Sequence, residues 1–352
     1  MKIAPIIDAM HVAQARGSKL RYRLIHTGQH YDRNMSGAFF EQLGIPEPDI
    51  NLEVGSGTQA EQTGAIMTRY EKVLSQERSD LCLVVGDVTS TMACAIAAQK
   101  LRVRVAHVEA GIRSGDWSMP EEINRMVTDS ITDYFFTTSD VANTNLHRSG
   151  VNDERIFFVG NTMIDTLLKQ RPRFCAPPVW SQAALRDQDY FVLTLHRPAN
   201  VDQDEGLRQL MAVILTSTRG KPVVFPVHPR TARTLERIGV AAPQLYLTEP
   251  LSYLEFNYVV ERAKAVITDS GGVTEETTVL GVPCLTLRDS TERPETITLG
   301  TNMLVGTDPA MLPPAVERVF AGQWKKGQVP PRWDGKAGER IVAALERLLL
   351  VA

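Results

Sequence analysis

Residues 81–109 read LCLVVGDVTSTMACAIAAQKLRVRVAHVE, and this stretch indicates the fold class on its own. The runs Leu81–Val85 and Val103–Val108 are continuously apolar or β-branched, as is typical of strands buried on both faces. The segment Thr91–Lys100 between them has the length and composition of a helix. A buried strand, a helix and a second buried strand in succession predict two parallel strands joined by a helix. We therefore expect an α/β protein.

The same alternation continues along the whole chain. The sequence predicts further strands at Tyr22–Thr27, Tyr134–Thr137, Ile156–Val159, Phe191–Leu195, Val223–Val227, Ala265–Thr268, Pro283–Leu287 and Asn302–Val305. It predicts helices at Lys2–Arg16, Gln59–Ser75, Pro120–Thr132, Ser139–Arg148, Leu207–Ser217, Tyr253–Ala263, Pro309–Phe320 and Ala337–Leu350. This repetition predicts open parallel sheets with helices on both faces, the doubly wound or Rossmann-like arrangement.

The length of 352 residues is enough for two such domains. Residues 171–188 are rich in proline and lack a period, so we interpret them as a linker. We expect one Rossmann-like domain over residues 1–170 and a second over residues 189–335, with a C-terminal helix in 336–352 that could pack across the domains. Open α/β sheets bind ligands beyond their C-terminal strand ends, which predicts a cleft between the two domains.

Charge and composition argue against several classes of partner. With 38 Lys and Arg against 41 Asp and Glu, the formal net charge of −3 leaves no broad basic surface for a nucleic acid or an anionic membrane. No apolar run reaches the ~18 residues of a membrane span. The 4 cysteines form no Cys-x-x-Cys pair, and we interpret them as reduced. We expect a cytoplasmic protein that binds neither nucleic acid nor membrane.

Carboxylates follow neighbouring predicted strands in the N-terminal half. Asp87 and Glu109 each come directly after a strand, so they should emerge at the same edge of the sheet. Carboxylates that converge in a cleft can titrate apart, one acting as base and one as acid. Glu121, beside Glu122 in a helix that opens at Pro120, is a third candidate, with helix capping as its alternative role. The sequence does not assign which carboxylate is the base.

Two histidines follow strands in the C-terminal half. His196 lies in Leu195-His-Arg197 and His228 lies in Val227-His-Pro229. A histidine at such a position can bind substrate or transfer protons. No pair of histidines has metal-ligand spacing, so we predict no metal site.

One glycine pattern invites a dinucleotide-binding interpretation. Gly55-Ser-Gly-Thr-Gln-Ala60 formally fits G-x-G-x-x-A between a strand-like segment and a helix. The segment does not open the domain, however, and the helix after it has a polar first turn. A turn that needs glycine and is capped by Thr58 is the favoured interpretation.

A second glycine-containing loop is a better phosphate site. Ser270, Gly271 and Gly272 follow a strand and open a helix, whose free N–H groups make an anion site. Glu276, in the first turn of that helix, could accept hydrogen bonds from ribose hydroxyls. Arg293, in the polar loop after the next strand, suits a bidentate phosphate contact.

Six motifs then combine into one pattern over essentially the whole chain. They are His26-Thr-Gly-Gln-His-Tyr-Asp32, His107-Val-Glu-Ala-Gly-Ile-Arg-Ser-Gly-Asp116, Met119-Pro-Glu-Glu-Ile-Asn-Arg125, Leu195-His-Arg197, Thr268-Asp-Ser-Gly-Gly272 and Thr291-Glu-Arg-Pro-Glu295. In this order they resemble the non-hydrolysing UDP-N-acetylglucosamine 2-epimerases. The resemblance implies a two-domain fold of the GT-B glycosyltransferase type, usually a homodimer, with the nucleotide held mainly by the second domain.

The resemblance also implies a reaction: reversible C2 epimerisation of UDP-N-acetylglucosamine to UDP-N-acetylmannosamine. UDP leaves C1 as the C2 proton is removed, and its re-addition to the 2-acetamidoglucal inverts C2 without a redox cofactor. Catalysis is then assigned to Asp87, Glu109, Glu121 and His196. Substrate binding is assigned to Lys2, Leu251 and Phe256 beside the uracil, Ser270, Gly271, Gly272, Glu276 on the ribose, and Arg293. Further candidates are His228 and Arg113, and, for a second regulatory substrate site, Gln29, His30 and Arg69.

The N-terminus departs from the family pattern. Family members open with a strand and Gly-Thr-Arg-Pro-Glu before a segment like Lys2-Ile-Ala-Pro5, so we expect the first strand of the N-terminal domain to be missing here. Several alternatives stay open. They are epimerisation of a modified UDP-2-acetamido sugar with a 3-acetamido, C6-carboxylate or 6-deoxy group, a hydrolysing 2-epimerase, a GT-B glycosyltransferase, and an inactive UDP-sugar-binding protein. The physiological UDP-sugar cannot be read from the residues.

Overall fold

Every paired strand among the described residues runs parallel to its neighbour, which confirms the α/β prediction. The structure is a computed structural model, and it describes residues 1–28, 40–201 and 203–350. The chain forms two units. The N-terminal unit comprises Met1–Lys169 with Pro331–Ala352, and the C-terminal unit comprises Gln170–Pro330.

The described residues of the N-terminal unit form a two-stranded and a four-stranded sheet. The first pairs β1 (Ile25–His26) with β2 (Ile50–Asn51), and the second has the order β3-β4-β5-β6, with β3 (Leu81–Val85), β4 (Arg104–Val108), β5 (Tyr134–Thr137) and β6 (Ile156–Phe158). Val85 of β3 lies opposite Val108 of β4, and Val108 lies opposite Phe136 of β5. This register brings the carboxyl ends of the three strands to one edge of the sheet.

Helices cover these sheets. They are α1 (Ala4–Ala15), α2 (Gln59–Gln76), α3 (Thr89–Lys100), α4 (Pro120–Ile131), α5 (Asp140–Arg148), α6 (Thr162–Gln170) and the C-terminal α15 (Ala337–Leu350). The last helix packs on α1, where Ile341 and Leu345 share a core with Ile6. A Cβ on Gly338 would lie 2.4 Å from the Pro5 carbonyl oxygen, so the close approach of the two helices requires glycine there.

The C-terminal unit contains a six-stranded parallel sheet of order β12-β11-β10-β7-β8-β9. Its strands are β7 (Phe191–Thr194), β8 (Val223–Pro226), β9 (Leu245–Thr248), β10 (Ala265–Thr268), β11 (Cys284–Thr286) and β12 (Asn302–Leu304). Around it lie α7 (Pro178–Gln182), α8 (Pro198–Val201), α9 (Asp204–Ser217), α10 (Pro229–Arg237), α11 (Tyr253–Glu261), α12 (Gly271–Leu280), α13 (Pro294–Thr298) and α14 (Leu312–Phe320). Short 3₁₀ turns occur at Asp153–Arg155, Arg171–Arg173 and Pro309–Met311. Phe191, Val224 and Ile267 are fully buried in the two apolar cores of this unit.

Residues 171–188 belong to the C-terminal unit. They form the turn Arg171–Arg173 and helix α7, and Val179 and Leu185 are buried in the same core as strand residues Val192 and Val266. The segment therefore contributes apolar packing that its proline content did not indicate.

The remaining sequence predictions differ from the structure at particular elements. The predicted strand Tyr22–Thr27 is reduced to Ile25–His26, and β9 was not predicted because Leu245–Thr248 is a half-exposed edge strand without a buried apolar run. Cys82, Cys94 and Cys284 are buried thiols and Cys175 is an exposed one. Within the described ranges, no helix has the length and apolar character needed to cross a bilayer.

Candidate active site

Asp87 and Glu109 lie at adjacent strand ends of the N-terminal unit. The Gly86 N–H donates to the Val108 carbonyl at 3.0 Å, which ties the turn after β3 to the end of β4. Glu109 is buried and takes a φ of 73°, a left-handed conformation that a non-glycine residue adopts at a cost. Strained backbone of this kind is concentrated at functional sites, because the surrounding contacts must hold it.

Lys2 lies at the same edge. Its Nζ donates to Glu109 Oε2 at 2.7 Å, and a Cβ on Gly86 would lie 3.3 Å from that nitrogen. Lys2, predicted to bind substrate, thus contacts Glu109 and lies next to the turn that carries Asp87.

Arg125, to which the sequence analysis gave no role, joins two acidic side chains. Its Nε and Nη2 contact Asp87 Oδ2 at 2.9 and 2.5 Å, and its Nη1 contacts Glu122 Oε2 at 2.7 Å. The guanidinium is buried, whereas 28% of the Asp87 side chain is exposed. Arg125 and Glu122 are three residues apart on α4, a spacing that puts them on one helix face and could have identified the pair.

Glu122 also holds the loop before α4. It accepts hydrogen bonds from the backbone N–H groups of Ser114 and Gly115, each at 3.0 Å. Burial opposes ionisation of Glu122, but these N–H groups and Arg125 outweigh it and keep the pKa of the carboxyl below its usual value. Glu122 is therefore an anion that anchors this loop.

Glu121 is half-buried in the first turn of α4. Within the described part of the chain, its side chain makes no hydrogen bond or ion pair. The helix N-terminus favours its negative charge. This combination of partial exposure and a side chain uncommitted to the described structure is what a group that meets a ligand requires.

A buried network lies beneath the two strand-end acids. His107 Nδ1 is 2.7 Å from Asp129 Oδ1, and His107 Nε2 is 2.8 Å from the Gly86 carbonyl oxygen. Asp129 Oδ2 accepts hydrogen bonds from Gly111 N at 3.0 Å and from Arg113 Nη1 at 2.6 Å. Arg113 is thus engaged with Asp129 and with the Ile112 carbonyl oxygen rather than with the acids themselves.

Of the three residues predicted for a regulatory site, Arg69 lies within the described residues. Gln29 and His30 lie outside the described residues. Arg69, on α2, donates to the carbonyl oxygens of Leu52 and Glu53, which fixes the chain after β2. At the start of α2, Thr58 and Glu61 form a capping box, which confirms the turn interpretation of the preceding glycines.

In the C-terminal unit, Asp269 organises the loop that carries His196. Its carboxylate accepts hydrogen bonds from His196 N at 3.0 Å, from Arg197 N at 2.9 Å and from Asn200 Nδ2 at 2.9 Å. The His196 side chain itself is exposed. Because β7 and β10 are neighbours, the His196 loop and the Ser270 loop lie side by side at one sheet edge.

Ser270, Gly271 and Gly272 lie at the start of α12, directly beyond β10. Ser270 N donates to Thr268 Oγ1 at 3.0 Å. A Cβ on Gly271 would lie 2.6 Å from Glu292 Oε1, so a larger residue would collide with the loop after β11. In this structure the Glu292 carboxylate thus occupies the space beside Gly271, and the phosphate role of this turn stays a prediction.

Glu276 is buried on α12 and accepts a hydrogen bond from the Tyr253 hydroxyl at 2.9 Å. Burial, supported by the charge of neighbouring Glu275, raises the pKa of Glu276 to about 7. Leu251 and Phe256, the residues predicted beside the uracil, are half-buried at the start of α11. They pack on the apolar core that contains Val259 of the same helix.

Arg293, which the sequence predicted as a phosphate ligand, contacts an acidic side chain of α12. Its Nε donates to Glu275 Oε1 at 2.9 Å, and both side chains are buried. Next to it, Arg288 Nη2 pairs with Glu292 Oε2 at 2.5 Å. In this structure the Arg293 guanidinium is thus a partner of α12. His228 caps α10, since its Nδ1 accepts a hydrogen bond from Arg230 N at 3.3 Å.

Comparison with known proteins shows the family to which this chain is similar. A family model described as UDP-N-acetylglucosamine 2-epimerase matches residues 13–346. The UDP-N-acetylglucosamine 2-epimerase of Methanocaldococcus jannaschii is 42% identical over 98% of this chain and 95% of its own length. The chain belongs to the UDP-N-acetylglucosamine 2-epimerase family.

A solved structure and one further relative refine the comparison. The crystal structure of the Methanocaldococcus jannaschii UDP-GlcNAc 2-epimerase in complex with UDP-GlcNAc and UDP has a TM-score of 0.86 at 42% identity and covers 98% of this epimerase and 95% of that chain. The UDP-2,3-diacetamido-2,3-dideoxy-D-glucuronate 2-epimerase of Pseudomonas aeruginosa is 40% identical, over 92% of this chain and 91% of its own length.

These similarities confirm the family resemblance and the GT-B-type fold inferred from the sequence motifs. As a family member, the protein is an epimerase, which is an isomerase. Three of the motifs that carried the resemblance, those that begin at His107, Leu195 and Thr268, lie at the carboxyl ends of β4, β7 and β10, and the motif that begins at Met119 opens α4. The assignment of individual residues to steps of the reaction rests on the contacts described above and is argued next.

Proposed function

We propose that this epimerase interconverts UDP-N-acetylglucosamine and UDP-N-acetylmannosamine by reversible inversion at C2. The observation that carries the proposal is the placement of Asp87 and Glu109 at adjacent strand ends, with Arg125 joining Asp87 to the helix that presents Glu121. Three carboxylates from three neighbouring elements supply the acid and base that an elimination and a re-addition require.

The chemistry follows from the position of the hydrogen that is exchanged. C2 of the sugar is not next to a carbonyl group, so its proton is not acidic enough for simple removal and return. Elimination solves this problem: a base takes the C2 proton as the C1–O bond breaks, which yields 2-acetamidoglucal and UDP. Re-addition of UDP at C1, with protonation of C2 from the opposite face, gives the epimer. These reaction steps transfer protons and UDP but no hydride.

The N-terminal unit carries the proton transfers in this proposal. Asp87, Glu109 and Glu121 are the candidate acid and base groups. Lys2 places a positive charge beside Glu109, with its Nζ 2.7 Å from Oε2. Arg125 orients Asp87, and Glu122 acts through Arg125 and the Ser114 loop. Arg113 acts indirectly, through its contact with Asp129.

The C-terminal unit binds the nucleotide in this proposal. The N–H groups at the start of α12, beyond Ser270, Gly271 and Gly272, stabilise the departing diphosphate. Glu276 accepts hydrogen bonds from the ribose, Leu251 and Phe256 contact the uracil, and the exposed His196 side chain contacts the substrate or the leaving phosphate. Arg293 holds α12 through Glu275, so its support of the diphosphate in this proposal is indirect.

A second candidate substrate is favoured by one relative. The Pseudomonas aeruginosa epimerase with 40% identity is named for a 2,3-diacetamido uronate sugar. The loop Ser114–Met119, which Glu122 holds by its backbone, is the segment we propose for discrimination between such sugars. An epimerase of that modified sugar would use the same carboxylates.

We further propose a homodimer in the cytoplasm, as the family resemblance implies. Size-exclusion chromatography with light scattering tests the dimer, because a protomer has a mass of 39.0 kDa. A monomeric mass at micromolar concentration would contradict it.

Proton NMR of the purified protein with UDP-N-acetylglucosamine in D2O tests the function. We expect UDP-N-acetylmannosamine with deuterium at C2, together with exchange at C2 of the remaining substrate. Free N-acetylmannosamine plus UDP would instead indicate a hydrolysing enzyme. An unchanged UDP-N-acetylglucosamine spectrum, alongside turnover of the 2,3-diacetamido uronate, would establish the second candidate.

A further inference from the structure

His107 lies under both acid-bearing turns and is fully enclosed. Its side chain is 1% exposed, on β4 of the N-terminal unit. Each ring nitrogen faces an oxygen at hydrogen-bond distance: Asp129 Oδ1 at 2.7 Å and the Gly86 carbonyl oxygen at 2.8 Å. No step of the proposed reaction uses this histidine.

The two oxygens dictate the protonation of the ring. A carbonyl oxygen cannot donate, so the Gly86 contact requires a proton on Nε2. Asp129 already accepts hydrogen bonds from Gly111 N and Arg113 Nη1, as expected of an ionised carboxylate, so the contact at Nδ1 requires a second proton. His107 with a proton on both nitrogens, an imidazolium, satisfies both contacts.

The surrounding charges support this form. Burial of His107 opposes its charge, but the hydrogen bond and charge of Asp129 outweigh burial and raise the pKa of the ring. Glu109, on the turn after β4, acts in the same direction, whereas Arg113 on the following loop stabilises the partner carboxylate. The pKa of Asp129 is correspondingly held below its usual value, although burial opposes this.

The contacts of His107 reach the backbone of Asp87 directly. The carbonyl of Gly86 belongs to the peptide that joins it to Asp87, and the N–H of Gly86 is held by the Val108 carbonyl at 3.0 Å. Gly86 has a φ of 76°, which few other residues adopt readily. Both sides of this residue are therefore fixed to β4, and His107 sets the plane of the Asp87 peptide.

The same pair holds the turn of Glu109. Asp129 accepts a hydrogen bond from Gly111 N, and the N–H of Glu109 donates to the Phe136 carbonyl at 2.9 Å. The turn is thus held by one hydrogen bond to β5 and by one to Asp129 of the His107–Asp129 pair. A single buried pair connects two turns that are more than 20 residues apart and that each carry a proposed catalytic carboxylate.

We propose that His107, doubly protonated in the resting protein, is a positioning residue that holds Asp87 and Glu109 in register for proton transfer. This inference deepens the proposed function and rests on it for its kinetic consequences. Its protonation state stands independently of the substrate.

The first test is ¹⁵N NMR of the full chain labelled at histidine. The 7 histidines give separable ring signals, and the H107N variant identifies the signal of His107. We expect both His107 nitrogens to be protonated at about pH 7.5, above the usual midpoint of about 6.5 for the side chain. A neutral ring at about pH 7.5 would overturn the proposal, whatever the protein turns over.

The second test separates the two hydrogen bonds. In H107N the amide nitrogen replaces Nδ1 and loses the Gly86 contact, whereas in H107Q it replaces Nε2 and keeps that contact. We expect H107N to lower kcat by about 100-fold with KM changed by less than about threefold, as for displacement of a catalytic group by about 1 Å. H107Q should lose less, because the Asp87 peptide stays held.

The matched control is His147, which also pairs with an aspartate, Asp153, but is exposed on α5. H147Q should leave kcat and KM unchanged. Equal kcat in H107N and the unsubstituted protein would refute the positioning role. Circular dichroism establishes that each variant is folded, and H107Q identifies the His107 signal if H107N does not fold. If the unsubstituted protein converts no UDP-sugar, the proposed function fails, and the NMR result still decides the state of His107.

Discussion

Arg125 contacts Asp87 through one carboxylate oxygen only. Its Nε and Nη2 both point to Oδ2, at 2.9 and 2.5 Å, and within the described residues Oδ1 accepts no hydrogen bond. The arginine therefore fixes the orientation of Asp87 and leaves a single oxygen for a substrate proton. An arginine can do this because its fork places two donors on one acceptor, which a lysine cannot.

The first prediction concerns this orientation. R125K keeps the positive charge but loses the second donor, so we expect kcat to fall by about 100-fold while KM changes little. R125M leaves two carboxylates without a buried partner and should lower the free energy of unfolding by about 3–5 kcal/mol. Steady-state kinetics and urea unfolding measure the two effects.

Arg148 gives the matched control for these variants, because it is exposed at the end of the neighbouring helix α5. R148K and R148M should leave kcat unchanged. They should change the free energy of unfolding by no more than about 0.5 kcal/mol. An R125K enzyme with normal kcat would show that Asp87 needs no orientation by Arg125.

The adjacent residues Glu121 and Glu122 should respond in opposite ways. E121Q removes a half-buried carboxylate that no described residue uses, so we expect kcat to fall by about 10²- to 10⁴-fold with unchanged stability. E122A removes the buried partner of Arg125 and of the Ser114 loop, and should cost about 3–5 kcal/mol of stability. Kinetics and thermal unfolding of both variants provide the comparison, and equal thermal stability of the two would contradict it.

The contrast between these neighbours shows what the sequence could and could not predict. The strands Leu81–Val85, Tyr134–Thr137 and Ala265–Thr268 were predicted with their observed bounds, because continuous apolar runs are long enough to define both ends. The positions of Asp87 and Glu109 at one sheet edge follow from the same pattern, since parallel strands end together.

Partners contributed by packing were not predictable in the same way. Arg125 and Asp87 are 38 residues apart, and their contact depends on how α4 crosses the ends of β3 and β4. His107 likewise resembles any histidine in a buried strand until Asp129 is placed beside it. Arg293 was interpreted as a phosphate ligand from its loop, and only the packing of that loop on α12 brings it to Glu275.

Glu276 predicts a pH dependence of nucleotide binding. Its pKa of about 7 means that it is protonated below that pH, and the neutral acid accepts weaker hydrogen bonds from ribose than the ionised carboxylate does. Affinity for UDP should therefore rise with pH, by about tenfold more in the unsubstituted protein than in E276Q between about pH 6 and about pH 8. Isothermal titration calorimetry of both proteins measures the difference, which cancels the titration of UDP itself. Parallel pH profiles for the two proteins would remove Glu276 from the ribose site.

Asp165 predicts a pH dependence of stability in the N-terminal unit. Its carboxylate accepts a hydrogen bond from Gly338 N at 2.8 Å at the start of α15, yet burial raises its pKa to about 6 from an ordinary value of 3.8. The folded protein therefore binds this proton more tightly than the unfolded chain. The stabilisation is fully present below about pH 4 and is lost as the pH rises through about 6.

D165N should reverse that loss, because an amide oxygen can still accept the Gly338 hydrogen bond and carries no buried charge. We expect the variant to be more stable than the unsubstituted protein by about 1–3 kcal/mol at pH 8, a shift of about 2 pKa units, with the advantage disappearing near pH 4. D153N, at an exposed aspartate in the same unit, serves as the control. Urea unfolding at the two pH values measures the difference, and a D165N variant less stable at pH 8 would show that the ionised carboxylate is a net stabilising cap of α15.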